Sequence, residues 1–61
     1  MNSSREDYLL TIYRLTKEDD FINSVSLAKA LDVSRASVSE MVKKLTSEDL
    51  ISFTDNKIRL T

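Results

Sequence analysis

The stretch Leu27-Ala-Lys-Ala-Leu-Asp-Val-Ser-Arg-Ala-Ser-Val-Ser39 decides the fold. Its first five residues close a short apolar-periodic segment that opens at Ser24, the expected cap, and sets Val25, Leu27, Ala28 and Leu31 facing inward. Asp32-Val33-Ser34 breaks the periodicity for one tight turn, and Ser34 is of a type that caps helices. After it Val38, Met41, Val42 and Leu45 recur at i, i+3, i+4 and i+7, which is one face of a further helix. The opposite side shows Arg35, Ser37, Ser39, Glu40, Lys43 and Lys44. Two helices joined by so short a turn, the second polar outward, predict a helix-turn-helix.

Working outward, Asn2-Ser3-Ser4 precedes a first helix. Ser4 is its N-cap, and Asp7 three residues on makes a capping box. Tyr8, Leu9, Ile12, Tyr13 and Leu15 fall in one arc, Arg5, Glu6, Arg14, Lys17 and Glu18 lie largely off it, and Leu10 points away from it. The helix fades into Glu18-Asp19-Asp20, because acidic side chains oppose the negative end of a helix dipole. Phe21-Ile22 brings the chain back to the core as a short extended piece. On the other side, the third helix ends near Ser47-Glu48-Asp49. Leu50 to Phe53, with Ile51 and Phe53 on one face, and Lys57 to Thr61, with Ile58 and Leu60 on one face, alternate as strands. Thr54-Asp55-Asn56 turns between them, so the pair reads as a β-hairpin. The fold class is mainly α with a small β-hairpin: a winged helix-turn-helix of three helices plus a wing, one domain over residues 1–61.

Composition narrows the function. The 61 residues contain no cysteine, so there is neither a disulfide framework nor a thiolate zinc site. They contain no histidine, which removes the commonest metal ligand and the commonest neutral-pH base. Gly and Pro are also absent, so Asp, Asn and Ser must make the turns. An enzyme would have to work with paired carboxylates, and the acidic residues sit at helix ends; no enzymatic role is expected. No apolar run is long enough to span a bilayer and no signal segment opens the chain, so the expected location is the cytoplasm. The net charge is −1. Residues 1–32 hold four Lys/Arg against six Asp/Glu, and residues 33–61 hold five against four.

A helix-turn-helix braces its second helix so that the N-terminal half enters a major groove of double-stranded DNA. Ser34-Arg35-Ala36-Ser37 offers two hydroxyls, a guanidinium and a methyl, all suited to phosphates or base edges. Lys43 and Lys44 stand two turns further on, within reach of phosphates, and Lys57 and Arg59 add charge on the wing. The plainer alternative is a solvated face with Ser34 acting only as a cap. A winged helix used for protein contact, without DNA binding, is the competing function, and the slight net acidity is its best argument.

Ser4-Arg-Glu-Asp-Tyr-Leu-x-x-Ile-Tyr-Arg-Leu15, the quoted stretch 27–39, Lys43-Lys-Leu45 and Ile58-Arg-Leu-Thr61 together resemble the opening of the iron- and manganese-dependent repressors of the diphtheria-toxin-repressor type. The resemblance runs over essentially the whole chain, and its first block is the most specific part. It implies a transcriptional repressor that binds a palindromic operator as a homodimer when divalent manganese or iron is present. It also implies that most metal ligands, and the dimer contacts, come from a following C-terminal helical domain. On that basis residues 1–61 are a truncated reading head, monomeric and without a cofactor of its own. By match to the family, Ser34, Ala36, Ser37 and Glu40 fall at positions that approach bases, and Ser39 at one that contacts phosphate. Asp7 falls at the first-helix metal-ligand position. Manganese-type members add a Glu three residues later, where this chain has Leu10; the helix cap is the other role open to Asp7. The family has a Gly where Asp49 stands.

Overall fold

The computed structural model describes residues 4–61. Helix α1 spans Arg5–Thr16, α2 Ser24–Leu31 and α3 Arg35–Ser47; strands β1 (Ile51–Thr54) and β2 (Lys57–Leu60) follow as an antiparallel pair. This is the expected three helices and a wing. Asn2 and Ser3 lie outside the described residues.

The capping box opens α1 as expected: the Asp7 N–H donates to Ser4 Oγ at 3.2 Å, and the Ser4 N–H donates to the Asp7 carboxylate at 3.1 Å. The cap of α2 is one residue earlier than the sequence suggested. Asn23 accepts from the Ser26 N–H at 2.8 Å, and Ser24 is already helical. An amide oxygen caps at least as well as a hydroxyl, and Asn23 has the extended backbone a cap needs. Ser34 caps α3 as read.

Without glycine, three joints are closed by Asp and Asn in left-handed backbone: Asp32 (φ 55°), Asp49 (φ 60°), and Asp55 with Asn56 (φ 53° and 62°). At the end of α2, the Asp32 N–H donates to the Lys29 carbonyl and the Val33 N–H to the Ala28 carbonyl. Asp49 and Leu50 repeat the arrangement on Thr46 and Leu45 at the end of α3. Both ends therefore use paired backbone bonds to satisfy carbonyls a helix leaves open. In the hairpin the two left-handed residues form a two-residue loop with Thr54 opposite Lys57, the geometry that matches strand twist. Thr54 thus belongs to β1, and the turn is Asp55-Asn56.

The core gathers Tyr8 and Ile12 of α1, Ile22 of the α1–α2 loop, Leu27 and Ala28 of α2, Val38, Val42 and Leu45 of α3, and Ile51 and Ile58 of the hairpin. Each such large side chain contributes roughly 1.5–3 kcal/mol against its exposed state. Burial pushes the Tyr8 phenol up from its ordinary value, since the charged form would lose hydration. Ile22 is bonded to Ile58 in both directions, N–H to carbonyl at 2.9 and 2.6 Å, which adds the α1–α2 loop to the edge of the wing. Arg5 reaches Glu48 at 2.9 Å and links α1 to the end of α3, a half-exposed pair contributing at most about 1 kcal/mol.

Four apolar side chains expected inside are instead exposed, the first being Phe21, whose neighbour Ile22 alone enters the core. Tyr13 sits at the margin of the α1 arc, and Val25 in the first turn of α2. Phe53 shares the inward strand face with Ile51 but lies nearer the hairpin turn. Among the described residues, no helix is long and apolar enough to cross a membrane.

Left-handed Asp costs backbone energy, and at the end of α3 its charge opposes the dipole. Asp49→Gly should remove both penalties and, after glycine's extra entropy cost, stabilise the domain by about 0.5–1 kcal/mol. A higher urea midpoint with an unchanged slope is the expected result; a lower midpoint would contradict this account.

Candidate nucleic-acid interface

The first turns of α3 stand in solvent. Ser34, Arg35, Ala36, Ser37, Ser39 and Glu40 are all exposed, and Lys43 and Lys44 continue the same polar side. The left-handed Asp32 turn produces this by reversing the chain directly into the Ser34 cap. Ser34 Oγ accepts from the Ser37 N–H at 3.1 Å and donates to Ser37 Oγ at 3.0 Å. Ser37 is itself exposed, and its hydroxyl keeps its own hydrogen for a further partner. The Arg35 and Ala36 N–H groups precede the first intrahelical bonds, so the start of α3 is a positive dipole end suited to an anion. Val38, Val42 and Leu45 hold the opposite face in the core. The cap therefore has two tasks, ending the turn and orienting Ser37.

Ser39 and Lys43, one turn apart, line a groove of about 370 Å³ with Ser24, Val42, Thr46, Ser47 and Phe53. The sequence did not single out Ser24 or Phe53 as neighbours of this surface. Alternation assigned Phe53 to the core, and the signal that would have corrected this is its place beside the hairpin turn.

Lys57 and Arg59 form a separate cluster. Both lie on the outward face of the hairpin, opposite Thr54 and Ser52. With Asp20, Phe21 and Asp55 they border a depression that no α3 residue lines. Lys57 Nζ stands 4.7 Å from the centre of the Phe21 ring, a cation–π contact that holds the ammonium at the wing's edge. The predicted residues thus divide into an α3 surface and a wing surface.

Asp7 is away from both. One of its carboxylate oxygens is engaged by the Ser4 N–H. Among the described residues, no three His, Cys, Asp or Glu side chains come together as a metal site. A single capping carboxylate does not fit a transition metal unaided.

Comparison with known families then decides the assignment. The model described as iron dependent repressor, N-terminal DNA binding domain, matches residues 1–57. The chain belongs to the iron-dependent repressor family. It is that family's DNA-binding domain, and the match favours DNA binding over the protein-contact alternative. The chain is 40% identical over 50 residues to the HTH-type transcriptional regulator MntR of Shouchella clausii, covering 82% of this chain and 35% of the relative. It is 36% identical over 50 residues to the MntR of Oceanobacillus iheyensis, covering 82% and 34%. The crystal structure of IdeR from T. acidophilum superposes with a TM-score of 0.93 at 27% identity, covering all of this chain and 29% of the other. The chain therefore spans about a third of the length of these relatives. The family is one of transcriptional regulators, and its metal is iron by description.

Ser34→Ala leaves the Ser37 N–H without its side-chain acceptor and frees the Ser37 hydroxyl. A loss of about 1 kcal/mol of stability is expected, read by chemical denaturation. An unchanged midpoint would mean that solvent caps α3 equally well.

Proposed function

We propose that this domain reads an operator with the N-terminal half of α3 in the major groove, while the wing holds phosphates. Ser34, Arg35, Ala36, Ser37 and Glu40 approach bases, and Ser39, Lys43 and Lys44 approach the sugar-phosphate backbone. Lys57 and Arg59 add charge beside it. One observation carries the reading: the capped start of α3 is exposed while its other face is locked in the core. Glu40 suits a site that presents a cytosine amino group, because a carboxylate near DNA is otherwise repelled. Within a longer protein the same head would work in the cytoplasm as part of a homodimeric, divalent-metal-responsive repressor. Dimer contacts and most ligands then lie outside these residues, and Asp7 adds one carboxylate. Iron and manganese both suit such a role, and the head itself stays monomeric in dilute solution.

Two expectations separate base reading from charge. Arg35→Ala should cost about 1–3 kcal/mol on the preferred sequence and relax preference at one position. Lys57→Ala and Arg59→Ala should weaken all duplexes alike and reduce the salt slope by about 1 each. Titrations over several duplexes and salt concentrations check this. Equal, sequence-independent losses at all three positions would reassign Arg35 to phosphate.

The 61-residue chain alone should bind duplex DNA weakly, with a dissociation constant on the order of 10⁻⁴ to 10⁻⁶ M. Added manganese or ferrous ion should leave that value unchanged, because Asp7 is committed to the cap. Tightening of tenfold or more on adding either ion would show that the head binds metal unaided.

A further inference from the structure

Phe53 shares a strand face with the buried Ile51, yet its ring is 42% exposed. It lines the mainly apolar groove of about 370 Å³ that α3 borders with Ser39, Val42, Lys43 and Thr46. Among the described residues that line it, Lys43 alone is charged, and there is no carboxylate. The depression on the outer face of the wing differs, since Asp20 and Asp55 stand there with Lys57 and Arg59. The main chain at Phe53 is open as well. Ile58, opposite it in the hairpin, turns its N–H and carbonyl to Ile22, away from β1. Facing residues of an antiparallel pair point their polar groups both inward or both outward, so those of Phe53 point to the free edge of β1.

We propose that this groove seats the sugar-phosphate backbone of one DNA strand, with the Phe53 ring against a deoxyribose and the Lys43 ammonium and Ser39 hydroxyl on the adjoining phosphate. The proposal rests on the reading of α3 as the DNA-facing helix. A DNA strand alternates an apolar sugar face with a phosphate anion, and the groove sets an apolar wall beside one ammonium. An occupant that was apolar throughout would cover the Lys43 ammonium without supplying a counter-charge, at a cost in hydration. Ser39 and Lys43 belong to the exposed side of α3 and to the groove alike, so the groove continues the DNA-facing surface. The free Phe53 N–H adds a donor of the kind that phosphate oxygens accept from.

Phe53 is then a positioning residue. Its contact is the same for every base sequence, so it fixes how α3 stands on the duplex and not which bases are read. An apolar contact displaces no counterions, whereas each phosphate contact by a lysine does. The two members of the groove therefore differ in salt dependence. Loss of Phe53 lowers affinity by the same factor at every salt concentration, and loss of Lys43 flattens the dependence.

The test is duplex binding by the 61-residue chain over several sequences and salt concentrations. Phe53→Ala should weaken every duplex by about tenfold at an unchanged salt slope, the loss expected when a half-exposed ring is no longer there to be covered. Phe53→Leu should keep most of the affinity, and Lys43→Ala should reduce the slope by about 1. Thermal midpoints near that of the parent chain would confirm an intact fold. NMR of the parent chain gives a readout that needs no variant: NOEs from the Phe53 ring protons to deoxyribose protons of the bound duplex. Arg35→Ala, measured alongside, separates this proposal from the base-reading assignment. If Arg35→Ala relaxes base preference while Phe53→Ala binds as the parent does, base reading stands, the groove has another occupant, and the proposal is overturned. Ring NOEs to bases alone, or a lowered salt slope in Phe53→Ala, overturn it too. Absence of binding to any duplex overturns both readings.

Discussion

From α2 onward, every change of direction in this chain is made by an Asp or Asn in left-handed backbone. Asp32 turns α2 into α3, Asp49 turns α3 into β1, and Asp55 with Asn56 turns β1 into β2. Glycine would take these angles without a side-chain penalty, and none is present. The joints hold because each is tied by its own backbone bonds. Val33 to Ala28 and Leu50 to Leu45 seal the two helix ends, and the hairpin register seals the third. Their angles fix where the helices and wing meet, so the core and the exposed start of α3 both depend on them.

The core answers the same geometry from inside. Val38, Val42 and Leu45 keep α3 from rotating about its axis, which keeps Ser34 to Ser37, Ser39 and Glu40 in solvent. The reciprocal Ile22–Ile58 bridge fastens the α1–α2 loop to the wing, so Phe21 arrives beside Lys57. Binding surfaces in so small a domain are by-products of the core: Ser37, Ser39, Lys43, Lys57 and Arg59 each sit next to a buried residue that sets their direction.

Charge is arranged with similar economy. Net charge is −1, yet Arg35, Lys43 and Lys44 stand on one side of α3, and Lys57 and Arg59 on one face of the wing. Several acidic residues do local work elsewhere, Asp7 in a cap, Glu48 in the pair with Arg5, Asp32 and Asp49 at helix ends, while Glu40 stands on the α3 surface and Asp20 and Asp55 border the wing cluster. The overall balance therefore says little about DNA binding, and the local placement says more.

The sequence by itself determined the elements and their order, because helix periodicity, capping residues and strand alternation are local signals. Ser4 with Asp7, Ser34, and the inward Val38, Val42 and Leu45 were all legible there, as was the family. What it could not place was anything set by how far a neighbouring element reaches. Tyr13, Val25 and Phe53 carry the pattern of core residues, yet each sits where the packing stops and so stays in water. Asn23 displaced Ser24 as cap because the Ile22 bridge fixes the preceding backbone, a constraint from the far end of the chain. The division of the basic residues into an α3 surface and a wing surface was likewise decided only in three dimensions. Strand alternation says that Lys57 and Arg59 share a face, while the docking of β1 on α3 decides which way that face looks.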